Sequence, residues 1–433
     1  MHGRPETEGD DEIADTRLHQ PSRIAAASWY ALAVLTFINV FGFMDRLALS
    51  ILMEAIKADL HLSDEQLGLL SGFAFALFYA ILGVPLARLA DRSSRVKLIS
   101  VCLALWSAMT ALSGMARNYP QLFLARMGVG IGEAGCVPPA HSLIGDYFPR
   151  EKRALGISIF NAGAAVGAAF GMFAIGAIAD QLGWRSCLMI IGVLGLPLAL
   201  LTIMTLRDPP RPKAASTSNQ NALAVIRSLL RRRAFLHLAI AFSVGHISTN
   251  GISQWIPTYL IRSHHMSMAE VGAWIGGIAA ASGTLGVLTG GLLAPRLLKR
   301  DLRWELWIPG CALAICLPAF IIMVLAPAVW VVLSMQVVIV FCSALASAVA
   351  ITAVQSFAEP DRRATAVSLV LFLASLLGGG LGPYLIGLTS EMLVPVFGDE
   401  SLRYALLIAC FMLVWSVFHY FRSARHAARD WVN

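Results

Sequence analysis

Pro149-Arg150-Glu151-Lys152-Arg153-Ala154-Leu155-Gly156-Ile157-Ser158 has a near copy later in the chain, Pro360-Asp361-Arg362-Arg363-Ala364-Thr365-Ala366-Val367-Ser368. Each copy sets a proline and charged residues before an Arg-Ala pair and a helix start rich in small residues. Each also follows the fourth of six long apolar runs. A polar loop repeated at the same place in two halves points to two parallel six-helix repeats. Transporters use that architecture, with a site between the repeats near mid-membrane.

A membrane-crossing helix needs about 20 apolar residues. Working outward from the repeated loops, the first half offers runs at 26–53, 66–90, 96–116, 120–146, 154–178 and 184–206. The second half offers runs at 234–262, 269–294, 304–325, 328–357, 363–390 and 402–421. The breaks between them are short, so neighbours are antiparallel hairpins. The expected fold is an all-α integral membrane protein of twelve spans in two pseudo-repeats. Its parts are a tail (1–25), a six-helix half (26–206), a linker (207–233), a second half (234–421) and a tail (422–433). The linker holds Asp208-Pro209-Pro210, Pro212 and a Ser/Thr/Asn run, with room for a surface helix before Arg231 to Arg233.

Composition agrees. The 433 residues are 57% hydrophobic and 14% charged, with a mean hydropathy of +0.70. Soluble domains carry about 25% charge, so a soluble enzyme, a disordered chain and a disulfide-stapled secreted domain are excluded. The seven cysteines are scattered through apolar runs without a Cys-x-x-Cys, which reads as buried hydrophobe rather than disulfide or metal ligand. No metal or cofactor is expected. The polar, acidic N-terminus contains no signal-peptide core. No H-E-x-x-H, G-x-S-x-G or P-loop occurs, so neither an enzyme nor a nucleotide-driven pump is expected.

The formal charge of +7 is a topology signal and not a nucleic-acid footprint. Of 33 Lys and Arg, 26 fall in the termini, the linker and the loops on their side. Lys57, Arg117, Arg185, Arg262 and Arg403 lie in the opposite loops, and Arg46 and Arg126 lie inside spans. By the positive-inside rule both termini and the linker are cytoplasmic. The expected location is a cell (inner) membrane, and a monomer is expected.

Asp91-Arg92-Ser93-Ser94-Arg95-Val96-Lys97 after span 2 resembles the G-x-x-x-D-R-x-G-R-[RK] signature of the major facilitator superfamily. The glycine positions are Ala87 and Ser94 here, and one basic position is Val96. Arg126-Met127-Gly128-Val129-Gly130 is similar to that family's R-x-x-x-G element. Phe43-Met44-Asp45-Arg46, and Gly128 to Gly135 continuing to Ile144-Gly145-Asp146-Tyr147-Phe148-Pro149, resemble the spinster branch. The resemblance implies alternating access and an amphipathic anionic cargo such as a lysolipid or sphingosine-1-phosphate, with proton coupling. It also implies a latch between the halves, assigned to Asp91, Arg92 and Arg95 with Arg150 and Arg153 of the repeated loop. In that family span 5 packs on the other half, so Gly163, Gly167 and Gly171 read as a flat sliding face. That superfamily's antiporter signature carries a Gly-Pro pair in this span, which is absent here.

A charge at the centre of a span costs about 2.5–3.5 kcal/mol on insertion scales, so such residues face a cavity or a partner. Asp45 and Arg46 are adjacent on span 1 and point about 100° apart. Arg126 and Glu133 share a face of span 4 but stand about 10 Å apart along it. Asp45 and Arg126 both fall roughly 9–14 Å below the outer ends of their spans, which favours Asp45–Arg126 as one pair and leaves Arg46 as a partner for Glu133. Desolvation raises a carboxyl pKa and a nearby arginine lowers it, so Asp45 or Glu133, with Arg126, is the candidate for proton coupling. A purely structural network is the competing reading.

Arg46 can offer an anion a bidentate fork. With Glu133 and Tyr79 it heads the candidate substrate contacts. Span 7, counterpart of span 1, adds Thr249, Asn250, Gln254 and Trp255, beside His246. Interhelical glue explains these polar groups equally well, and Trp255 before Pro257 also suits an interfacial belt. A proton-coupled carrier of a small organic anion or sugar acid, and a ligand-binding membrane sensor, are the alternative functions.

Overall fold

The computed structural model describes residues 26–209, 222–359 and 362–431. Helix accounts for nearly all of them. The spans run Ala26–Leu60, Asp64–Arg92 (through a π-turn at Leu69–Phe73), Arg95–Gly114, and Tyr119–Ala134 with Val137–Tyr147. One long helix, Arg153–Thr205, breaks at Gly183 into spans 5 and 6. The second half runs Arg233–His264, Met268–Leu298, Trp304–Leu325 and Val329–Ser356. Span 11 is Arg363–Ala374, a π-turn Ser375–Leu381, and Gly382–Phe397; span 12 is Ser401–Cys410 with Met412–Asp430. A short amphipathic helix, Ala222–Arg231, ends the linker. The start of span 1, the end of span 6, the start of span 7 and the end of span 12 share one side, called here the linker face: Tyr30 bonds Thr205 and Asp430 bonds the Ala234 N–H.

Local chemistry sets the boundaries. Ser63 with Gln66, and Ser267 with Glu270, form capping boxes at the starts of spans 2 and 8. Asn118 caps span 4, with Pro120 in its first turn. Gly183 turns at φ +77°, a conformation that favours glycine. By length and apolarity alone eight helical stretches among the described residues could cross a membrane, two of them, Arg153–Thr205 and Thr365–Asp430, holding a pair of spans each. Spans 4 and 7 fall outside that test: one is broken at Gly135-Cys136, and the other carries the polar run from His246 to Gln254. Large apolar side chains such as Leu124, Phe170 and Trp330 point outward, as a lipid solvent requires.

Several spans are longer than their apolar runs, span 1 and span 12 among them. Span 1 continues to Leu60, not 53, and carries Glu54, Lys57 and Asp59 on its last two turns. Each of these has a partner: Glu54 meets Arg262, Lys57 meets Asp64, and Asp59 meets Arg185 and the Trp184 indole. Charges that read as loop are thus helical. Asp45 consequently lies 15 residues, about 22 Å, from the end of its helix, deeper than the expected 9–14 Å. Span 12 likewise runs to Asp430.

The halves meet along spans 2 and 11 and along spans 5 and 8. The two π-turns abut, and a Cβ on Gly72 would come within 2.5 Å of the Gly380 carbonyl. A side chain there would force the halves apart.

Candidate functional site

Asp45 and Arg46 each find a partner on span 4. The Arg126 guanidinium lies 3.3 Å from Asp45 Oδ1, and the Thr110 hydroxyl donates to Asp45 Oδ2 at 2.6 Å. Asp45 is wholly buried and Arg126 is 1% exposed. The Arg46 guanidinium donates from Nε to Glu133 Oε2 at 2.5 Å. Glu133 is buried, while the Arg46 side chain remains 25% exposed. The two-pair arrangement expected from helix geometry is the one the structure contains.

The surroundings of Arg46 are aromatic. Its guanidinium sits 5.1 Å from the ring centres of Phe43 and Phe75 and 4.8 Å from that of Tyr79. Cation–π attraction strengthens where water is excluded. Gly130 makes this possible, since a Cβ there would meet the Phe75 carbonyl at 2.7 Å and push span 2 away. Below Arg46 is a small apolar pocket of about 20 Å³, walled by Leu35, Ile38, Trp106 and Val137. That is room for about one water. Glu133 Oε1 and Arg126 Nε face inward without a partner. Phe43 stands out in the sequence only as part of the Phe43-Met44-Asp45-Arg46 motif, and Phe75 not at all, because a phenylalanine in an apolar run carries no signal of its own.

Span 7 divides. Thr249 and Asn250, with His246, line a cavity of about 250 Å³ in the second half, closed by Phe320, Gln336 and Tyr420. Gln336 Oε1 is buried there without a partner. Gln254 is not on this wall. Trp255 belongs neither to a cavity nor to an interfacial belt. It is wholly buried, and its indole donates to the Pro383 carbonyl at 2.9 Å, tying span 7 to span 11.

The residues assigned to the latch do not join the halves through Arg95. Its guanidinium binds Asp146 at 2.5 Å and also Ser142 in the first half, and Asp208 at 2.7 Å at the start of the linker. Burial opposes ionisation of Asp208, but the hydrogen bonds from Arg95 outweigh it and hold the carboxyl below its usual range. Asp91 and Arg92 are exposed at the end of span 2, and Arg153 donates to the Phe148 carbonyl. The Arg150 side chain lies outside the described residues.

The seam is fastened on the opposite face. Arg262 of span 7 holds Asp64 through two hydrogen bonds of 2.9 Å and Glu54 at 2.9 Å. Lys57 and Ser390 also bind Asp64, each at 2.6 Å, and Glu391 accepts from the Asp64 backbone N–H. Tyr384 donates to Glu65. A sequence signal existed: Lys57 and Arg262 are two of only five basic residues on a face otherwise cleared of them.

The glycine face of span 5 also differs from expectation. Gly163, Gly167 and Gly171 take span 1 at Thr36, Val40 and Met44. Contact with the other half falls on a different stripe. Gly276 of span 8 receives Ala169 there, while Gly176 and Gly272 let the spans 5 and 8 backbones touch at Met268 and Met172.

The sequence profile of the Major Facilitator Superfamily matches residues 35–383. An MFS-type efflux pump of Mycolicibacterium smegmatis is 32% identical over 98% of this chain and 97% of its own. The sphingosine-1-phosphate transporter SPNS2 of Danio rerio is 26% identical over 89% of this chain and 81% of its own. A crystal structure of a bacterial homolog to the human lysosomal transporter Spinster, inward-facing and unoccupied, superposes with a TM-score of 0.87. It is 29% identical and covers 94% of this chain and 99% of that one.

Proposed function

The chain belongs to the Major Facilitator Superfamily, as a spinster-like member, and from that premise we propose that it is a proton-coupled carrier of an amphipathic anion. It is a multi-pass membrane transporter and not an enzyme. The cargo class proposed is a lysolipid or a sphingosine-phosphate-like molecule. The observation that carries the reading is Arg46: a guanidinium open to free space, held by one carboxylate and three rings.

A phosphate or carboxylate headgroup reaching Arg46 competes with Glu133 for the same donors. Once displaced, the Glu133 carboxylate faces apolar walls, where an unpaired charge is costly and protonation relieves the cost. Cargo arrival and proton uptake at Glu133 are thereby linked. The rings and the apolar cavity of the second half supply surface for the cargo's hydrocarbon part. The lock at Arg262 and Asp64 holds the opposite face shut, so access is from the linker face. That face is assigned to the cytoplasm of a cell membrane, with both termini on it and the carrier acting as a monomer.

Proteoliposomes with an imposed pH gradient test this. Sphingosine-1-phosphate, lysophospholipids and sugar acids are compared, with Asp45→Asn and Glu133→Gln alongside. The expected result is pH-driven movement of the amphipathic anions that Glu133→Gln removes. An unaltered pH dependence in both variants would sink the coupling. Movement of sugar acids alone would replace the cargo class.

A further inference from the structure

We propose that the groove between the linker-face ends of spans 7 and 12 binds the phosphate headgroup of an anionic membrane lipid. Arg231, Arg233, His426 and Arg429 line a polar cavity of about 330 Å³ there, together with Asp430. Asp430 is its one carboxylate among the described residues, and that carboxylate is engaged, accepting from the Ala234 backbone N–H at 2.7 Å. The cavity therefore presents a surplus of cationic donors. Three arginine forks converge on it, and a guanidinium fork matches the geometry of a phosphate.

Histidines extend the site toward the bilayer. The Nδ1 atoms of His237 and His419 lie 2.8 Å apart, so one ring donates to the other. The His426 ring stacks on His237 at 5.9 Å and 9°. Three imidazoles packed together beneath arginines repel one another when protonated, and an anion placed among them removes that repulsion. Arg422, one turn from both His419 and His426 on span 12, adds to the same field.

The neighbouring surface selects a lipid over a soluble anion. His419 stacks against Trp415 at 5.8 Å and meets Phe418 edge-on at 5.4 Å. Trp415 and Phe418 are 61% and 57% exposed, and Leu236, next to His237 on span 7, is exposed as well. A single surface thus passes, in steps of three and four residues, from outward-facing aromatics through histidine to arginine. Acyl chains against the first and a phosphate among the last is the geometry of a lipid at its own depth. A topology signal needs only the number of basic residues. It does not need a cavity, an engaged carboxylate or a histidine cluster.

The test uses the full chain, purified and delipidated in detergent, with native mass spectrometry and thermal unfolding as readouts. Phosphatidylglycerol and cardiolipin are compared with phosphatidylcholine and with inorganic phosphate. The expected result is retained anionic lipid and a raised unfolding temperature, with neither effect from phosphatidylcholine. Arg233→Gln and Arg429→Gln should each weaken retention about fivefold, the ~1 kcal/mol a basic residue contributes near an anionic surface. The double variant Arg233→Lys/Arg429→Lys keeps the charge and loses the forks, so it should also bind more weakly. Circular dichroism checks that each variant is folded. Equal retention of all lipids overturns the proposal, as does full binding by the double-lysine variant. An equal effect from inorganic phosphate reassigns the cavity to a soluble anion and overturns the lipid.

Discussion

Asp45 and Arg46 are neighbours on one helix, both pair with span 4, and their environments are opposite. Asp45 is sealed: no exposed surface, an arginine on one oxygen and a hydroxyl on the other. Arg46 is a quarter exposed and ringed by aromatics, with a single carboxylate partner. The 100° between adjacent helix positions sends one into the joint between spans 1, 3 and 4 and the other to the small pocket beside Phe43 and Trp106. A sealed pair stabilises a joint. An exposed pair can be exchanged for a ligand.

The largest effect should come from breaking the sealed pair. Arg126→Met leaves Asp45 buried without its cation, and breaking a buried pair costs about 3–5 kcal/mol. Detergent-solubilised protein should show a sharply lower unfolding temperature or fail to accumulate. Arg126→Met with Asp45→Leu should recover much of the loss, because two apolar groups replace both charges. A single variant as stable as the parent would mean that the pair is not the clamp described.

The exposed pair should break differently. Glu133→Gln should fold, with pH-driven transport reduced to that of protein-free liposomes. Asp45→Asn should lower the amount of folded protein but leave the pH slope of what remains. The reverse pattern would exchange the roles of the two carboxylates and remove the distinction drawn between them.

A third pair sharpens the contrast. Asp64 is as buried as Asp45, yet its partners come from both halves, so it fastens a seam that must open. Arg262→Ala removes one strap of several, and the conformational equilibrium should shift about tenfold toward opening of that face. Spin labels at Ala58 and Val396 should report a longer distance population. An unchanged distribution would leave the seam to the glycine contacts between the π-turns.

What could be read from the sequence follows the same division. Four charges inside spans are conspicuous against 57% hydrophobic residues, so both pairs of spans 1 and 4 could be worked out from spacing. The lock could not. Glu54, Lys57 and Asp59 look like loop because hydropathy ends a span at its first charges, whereas cross-half partners keep the helix going to Leu60. Resemblance puts Arg95 in a latch, but pairing with Asp208 requires knowing where the end of span 6 returns. Glycine spacing revealed a flat face on span 5 without saying which neighbour it receives.

The smallest effect tests how Arg46 is held. Phe75→Leu keeps an apolar side chain of similar bulk and removes one ring from the guanidinium. A cation–π contact is worth about 0.5–2 kcal/mol depending on desolvation. With two other rings remaining, cargo affinity should fall only a few-fold. Phe75→Tyr retains a ring and should bind like the parent, which separates the π-contact from simple packing. Unfolding temperature should barely change in either, since Phe75 is only partly buried. If Phe75→Leu bound cargo as the parent does, Arg46 would be positioned by Glu133 alone. Cargo that displaced Glu133 would then leave the guanidinium free to swing, and the aromatic ring of the site would be packing rather than recognition.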